Sequence, residues 1–216
     1  MPAQAPQDFA GDANARVVFF KELQAVTTRI HATANIDEIM LELSGDICRL
    51  FNCDRLTIYV IGEDKQSIVS KVKTGLNSFK DLRLPIADQS VAGYVAQTKK
   101  AVNIHDVYDD VELKRYSPHM AFLQEVDKRT GYRSKQMLVT PILDAPSGEL
   151  LGVVQFINNK QDLPFGAIAE EGAQSLAQTL AVAFTQRQKA QPVTRTKYDD
   201  LVASAVYTRP HEVATI

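Results

Sequence analysis

The chain has 216 residues, 24 Lys plus Arg against 26 Asp plus Glu for a net charge of -2, and is 45% hydrophobic and 23% charged. That is an ordinary globular composition in one large domain or two small ones, able to bury about 70% of its unfolded surface without disulfide or metal, and it excludes disordered and collagen-like chains. A near-neutral balance supplies no field for nucleic acid or anionic lipid, and no run has the length of a membrane span or the flanks of a secretory signal, so a cytoplasmic protein with no nucleic-acid partner is expected.

Residues 1–15, rich in Ala, Gln, Pro and Asp, carry no periodicity and read as a flexible leader. A domain is expected over 16–190. Val17, Phe20, Leu23, Val26 and Ile30 recur at helical spacing from Arg16 to about Ala34. A second helix starts at Asn35, where Glu38 completes a capping box, and presents Ile36, Ile39, Met40, Leu43, Ile47, Leu50 and Phe51 on one face. The period then falls to two in 56–61 and again in 67–73, a pair of strands joined by a turn at 62–65. A short strand over 82–86 follows, then a helix from Val91 to about Thr98 capped by Asp88 or Ser90, then a strand at 102–104.

Residues 105–133 are polar but studded with Tyr108, Tyr116, Phe122, Leu123 and Tyr132. Connections in compact domains are usually about four to six residues, so so long a segment predicts a lid or binding loop. Strands over 136–143 and 149–157, joined by a Pro- and Gly-containing turn, precede a last helix from about Phe165 to Gln188 that Pro192 ends. Residues 191–216 read as a linker and the start of a further helical element. Hairpin connections make the sheet antiparallel with helices covering it, an α+β fold.

No phosphate-binding Gly loop, nucleophile elbow or zinc-protease signature is present, and the four histidines are scattered, so no catalytic residue, metal or cofactor is expected. Cys48 and Cys53 match no metal or redox spacing and read as buried thiols. The helix beginning Ser90-Val91-Ala92-Gly93 offers unsatisfied backbone N–H groups to an anion, and its small residues permit close approach.

Several segments in order, Asp88 to Ala96, Val102-Asn103-Ile104 with Asp106-Val107-Tyr108, Val126 to Ser134, and Pro141-Ile142, resemble GAF domains of the cyclic-nucleotide-binding kind over about residues 36–188. The stretch Phe122 to Leu138 resembles more closely the GAF modules that precede GspE/PulE-type secretion or pilus-assembly ATPases. The resemblance implies a GAF-like antiparallel sheet flanked by helices, with a lidded small-molecule pocket. It implies that Val91 and Ala92 meet a cyclic phosphate, that Asp127, Thr130 and Ser134 line the pocket from the lid, and that Thr57, Thr74 and Gln155 line it from the strands. Lys73 and Thr74 stand where a cyclic-GMP-binding relative has a stacking aromatic and an acidic residue, and Gln155 stands at a commonly acidic position. The family mark is present as Asn159-Lys160, Phe165 and Glu170, with Ala169 replacing the usual Asp, so Lys160 lacks its customary carboxylate unless Glu170 or Glu171 substitutes. The implied function is a non-catalytic sensor of a cyclic nucleotide or other small anion, relayed to a type II secretion or type IV pilus ATPase, dimeric through its first and last helices. The alternative is a dimerisation or docking module whose pocket Tyr116, Phe122 and Leu123 occlude.

Overall fold

The computed structural model describes residues 9–32, 43–73 and 82–190. In chain order they form α1 (Phe9–Ala32), α2 (Ser44–Leu50), β1 (Cys53–Ile61), β2 (Ser67–Lys73), β3 (Arg83–Pro85), α3 (Val91–Thr98), β4 (Val102–Ile104), α4 (Asp110–Lys114), α5 (Glu125–Thr130), β5 (Met137–Leu143), β6 (Leu150–Asn159) and α6 (Ala167–Ala190). Residues 1–184 make one compact unit and 185–216 a second, of which the described part is the last turn and a half of α6. Helix α1 begins at Phe9 rather than Arg16: three alanines among residues 10–15 favour the helix enough to carry it through Gly11 without an apolar face of its own. The expected second helix is described only from Ser44, and the capping box at Asn35, Thr74 and the linker from 191 lie outside the described residues.

The sheet order is β3-β2-β1-β6-β5-β4, and every neighbouring pair is antiparallel. This is the expected α+β architecture. Each strand contributes alternate residues to opposite faces, so two separate cores form. On one face Leu56, Ile58, Leu138, Ile142, Val154 and Phe156 meet Leu23, Val26 and Ile30 of α1, Ile47 and Cys48 of α2, and Leu176 and Leu180 of α6. Phe156 is fully buried and stacks on Phe51 at 4.2 Å between ring centroids. Burying one such side chain contributes about 1.5 to 3 kcal/mol, and this cluster is the larger of the two cores.

On the other face Tyr59, Met137, Val139, Val153 and Ile157 meet Val91, Ala92, Val95 and Ala96 of α3. Helix α3 lies across β5 and β6 and touches β2 and β3. Two close approaches set this geometry. A Cβ on Gly152 would sit 2.2 Å from the Tyr59 carbonyl, and one on Gly93 would sit 2.5 and 2.6 Å from the carbonyls of Ala87 and Pro85, so each position accepts only glycine without backbone movement.

Both cysteines are buried thiols outside any disulfide, as expected, and Cys53 is held protonated by its hydrogen bond with Cys48 and by burial. The long segment differs from the expectation of an irregular loop. Asp109 caps α4 through Val111 and Glu112 N–H, α5 follows, and Val107, Leu113 and Met120 are buried in the second core. Val107, Leu113 and Met120 are thus the underside of a folded cover, at a spacing too irregular to announce a helix, while Val111 and Leu123 face outward.

Candidate functional site

The second face carries a set of polar side chains on its two central strands. Thr57 and Gln155 face each other in register on β1 and β6, with 8% and 7% of their surface exposed. Tyr59 lies two residues from Thr57 on the same face, 2% exposed, and burial pushes its phenol pKa up. Among the described residues none of these three side chains has a hydrogen-bond partner. The fully enclosed unpaired side-chain atoms among those residues are instead Asn103 Oδ1 and Thr140 Oγ1. Tyr59 was not singled out by sequence, although the period of two from Thr57 places it on the same face.

Helix α3 stands over this face. Ser90, not Asp88, is its N-cap: the Ser90 hydroxyl accepts from Gly93 N–H at 3.1 Å, which leaves the N–H groups of Val91 and Ala92 without an intrahelical acceptor. Val91 and Ala92 are both buried in the second core. Asp88 turns the other way. Its Oδ2 accepts from Ser117 Oγ at 2.6 Å and lies 3.0 Å from His119 Nδ1, and Ala121 N–H donates to the Gln89 carbonyl at 3.0 Å, so the strand-to-helix connection is tied to the middle of the covering segment. Those hydrogen bonds hold the Asp88 carboxyl below its ordinary pKa.

The far end of the segment closes on Asp127. This carboxylate is 4% exposed and accepts from Ser134 N–H at 2.7 Å, Ser134 Oγ at 3.0 Å and Tyr108 OH at 3.0 Å. Arg133 stacks on Tyr108 at 3.5 Å and grips Asp106 with two 2.9 Å bonds. Arg55 of β1 stacks on Tyr132 at 3.3 Å. Asp127 and Ser134 are therefore brought together but spend their hydrogen bonds on each other, whereas Thr130 is exposed with its hydroxyl 3.4 Å from the Asp127 carbonyl. Tyr108, which the sequence marks as a lid aromatic but not as a site residue, is what closes this triangle; Tyr116 and Phe122 pack at the margin of the second core, while Leu123 is 65% exposed and fills nothing.

The Asn159-Lys160-Phe165-Glu170 set is assembled on the opposite side of the sheet. Asn159 accepts from Asn52 Nδ2 and Gln161 N–H and donates to the Pro164 carbonyl, and Phe165 is buried beside Phe156. Glu170 bonds Asn103, which also donates to the Phe165 carbonyl at 2.7 Å, and Glu171 pairs with Arg16 of α1. Neither glutamate substitutes as the carboxylate partner of the exposed Lys160; Asn103 has taken Glu170. This set fixes the entry into α6 and contributes nothing to the polar floor.

Comparison with known proteins agrees with this architecture. The family model described as GAF domain matches residues 35–184. The chain is 31% identical over 157 residues to dual 3',5'-cyclic-AMP and -GMP phosphodiesterase 11A of Takifugu rubripes, covering 61% of this chain and 16% of that protein. It is 25% identical over 147 residues to probable 3',5'-cyclic phosphodiesterase pde-5 of Caenorhabditis elegans, covering 63% and 18%. The chain thus spans less than a fifth of the length of these relatives. Among solved structures, the GAF domain of a phosphoenolpyruvate-protein phosphotransferase from Coxiella burnetii superposes with a TM-score of 0.67 at 20% identity, covering 81% of this chain and 97% of that one. Free methionine-R-sulfoxide reductase from Neisseria meningitidis superposes at 0.63 and 14% identity, covering 88% and 98%, a likeness of fold alone.

Proposed function

Because the chain belongs to the GAF domain family, we propose that it is a regulatory module that senses a small ligand of the cyclic-nucleotide type, bound between the second sheet face and the 105–134 lid, and that it is not a catalyst. The observation that carries this reading is the pair Thr57 and Gln155, more than nine-tenths buried yet unpaired among the described residues. Buried polar groups without partners cost about 1 to 3 kcal/mol each, a cost that a bound ligand offsets. The N–H groups of Val91 and Ala92 supply the anion-binding end, and Asp127, Thr130 and Ser134 act by holding the lid. Thr74, outside the described residues, is the further strand residue that the resemblance implies. The phosphodiesterase relatives favour a cyclic nucleotide over other small anions.

Output passes to the helices on the opposite face, α1 and α6, through the strands they share with the floor. Val17, Val18 and Val182, exposed on those helices, are the surface through which a homodimer forms. The ATPase of the GspE/PulE type remains the partner that the Phe122 to Leu138 resemblance implies. A ligand moves such a switch only by its differential affinity for two states.

The test is thermal melting of the full chain with cyclic AMP, cyclic GMP and cyclic dinucleotides, followed by calorimetry. At about 100 times its Kd a ligand stabilises the fold by about 2.7 kcal/mol, which for this size is roughly 5 to 11 °C in Tm. A saturable shift with one-to-one stoichiometry supports the sensor; no shift with any of them refutes it and leaves the docking module with an occluded pocket.

A further inference from the structure

At the β4 edge of the sheet the lid and the last helix meet on one residue. Strand alternation sends Val102 and Ile104 into the second core and puts Asn103, in register with Leu138, on the opposite face, where α6 begins. Because β4 is an edge strand, paired only with β5, the main chain of Asn103 is open on its outer side. Both halves of the residue are engaged. Its carbonyl accepts from Tyr116 OH at 3.2 Å, and its Nδ2 donates to the Phe165 carbonyl at 2.7 Å and to Glu170 Oε1.

The lid end of this link is firmly held. Tyr116, just beyond α4, packs edge-on against Tyr94 of α3 at 6.1 Å between ring centroids, and burial raises its phenol pKa, so it stays a donor. Glu112 within α4 accepts from His105 and Asp106 N–H at 2.9 and 3.0 Å, which bolts α4 to the end of β4. The helix end is as specific. Both amide hydrogens of Asn103 face acceptors, and a half-turn of the carboxamide would set its oxygen against a carbonyl and a carboxylate. Oδ1 is left fully enclosed with no partner among the described residues, a disadvantage that an apolar side chain of the same shape would avoid. Other ties from the lid stop short of the helix: Asp88 joins it to the approach to α3, while Asn158 on the Arg133 carbonyl and Asp162 on Lys135 and Gln136 end in the turn after β6.

We infer that Asn103 couples the lid to α6, a second route of output that runs round the β4 edge rather than through the sheet. The inference rests on the sensor reading for what moves the lid and adds how that movement reaches the far face. The two-state element is the Asn103 peptide. With Tyr116 bonded, the peptide is fixed and its side chain holds the entry to α6. With Tyr116 released, the peptide turns, Oδ1 gains water, and the bonds to Phe165 and Glu170 are given up.

The experiment is amide hydrogen exchange on the full chain of wild type, Tyr116→Phe, Asn103→Leu and the double variant, each checked for native melting, alone and with cyclic AMP or cyclic GMP. Tyr116→Phe keeps the ring and removes one hydroxyl, whereas Asn103→Leu keeps the carbonyl that Tyr116 bonds and removes the bonds to α6. Asn103→Ala, which adds no bulk beside Phe165, takes its place if the leucine variant does not melt natively. Tyr116→Phe alone should speed exchange at Glu170 to Leu176 by about fivefold, the scale of one hydrogen bond. On the Asn103→Leu background the same change should speed it by less than about 1.5-fold. By reciprocity Asn103→Leu should in turn speed exchange in 110–117, although it removes no bond of the lid. A nucleotide that protects the lid should protect α6 in wild type and not in Asn103→Leu. Equal acceleration of α6 by Tyr116→Phe on both backgrounds, or none on either, overturns the inference, and the sensor stands if a nucleotide still protects the lid. Coupling in the cycle with no protection by either nucleotide overturns the cyclic-nucleotide reading and leaves the link as described. Neither coupling nor protection overturns both.

Discussion

Replacing Asp127 by alanine tests whether a single buried carboxylate closes the lid. In the native arrangement it accepts three hydrogen bonds at 2.7, 3.0 and 3.0 Å from two residues, Ser134 and Tyr108, that flank it in sequence by seven and nineteen positions. Hydrogen bonds to a charged acceptor are worth about 1.5 to 3 kcal/mol each, but three on one carboxylate are not additive. The variant also leaves the N–H and hydroxyl of Ser134 unpaired in a site where that residue is 4% exposed, at about 1 to 3 kcal/mol per group. Opening of the segment admits water to those groups and escapes the penalty, so the cost falls on local closure rather than on the whole fold. About 3 kcal/mol of lost closure free energy corresponds to roughly a hundredfold loss of protection. Amide hydrogen exchange of the peptide spanning 124–136 reads this directly, with β6 as the internal reference. Asp127→Asn, which keeps one acceptor oxygen, should lose less. If Ser134 exchanges within about threefold of the wild-type rate in Asp127→Ala, the carboxylate is not the closure and the reasoning fails.

Three further outcomes follow from the same geometry. Phe156→Ala removes a fully buried ring stacked on Phe51 and should destabilise by about 3 to 5 kcal/mol, visible as a Tm lower by roughly 6 to 20 °C; a drop below about 4 °C would contradict its place in the main core. Gly93→Ala brings a methyl to 2.5 Å from the Ala87 carbonyl, so despite alanine's better helix propensity the protein should lose about 1 to 3 kcal/mol in denaturant melts, with a neutral or stabilising effect refuting the close approach. The Asp88 carboxyl has its pKa lowered by Ser117 and His119, so its contribution to lid closure is fully present above the ordinary carboxylate pKa of about 4 and is lost as pH falls through the lower folded value. Limited proteolysis of the lid on an acid titration should show the loss, and Asp88→Asn should remove that acid limb.

Much of the sheet was legible because its strands alternate cleanly: 67–73 and 102–104 coincide with their sequence reading, and the others differ by one to three residues at either end. The register Thr57 against Gln155 was not legible, since a strand pattern gives faces and not partners, and β1 and β6 are far apart in sequence. The cover was misread for a related reason. Leu113 and Met120 are buried by tertiary packing on α3's side of the sheet, while helices as short as α4 and α5 have too few turns to show a period. The N-cap was decidable only in three dimensions, because Asp88 and Ser90 are both good caps and what separates them is that Ser117 and His119 claim the aspartate.

Strands β1 and β6 are a party wall between two rooms furnished by alternate residues. A substitution at Thr57, Tyr59 or Gln155 redecorates one room and leaves the other untouched, whereas inserting or deleting a single residue in either strand would exchange the furniture of both, setting Leu56 and Phe156 toward the floor and the polar trio into the hydrocarbon core. Lineages carrying this wall are accordingly free to change what they recognise by point replacement, at constant strand length, without redesigning the helices that answer.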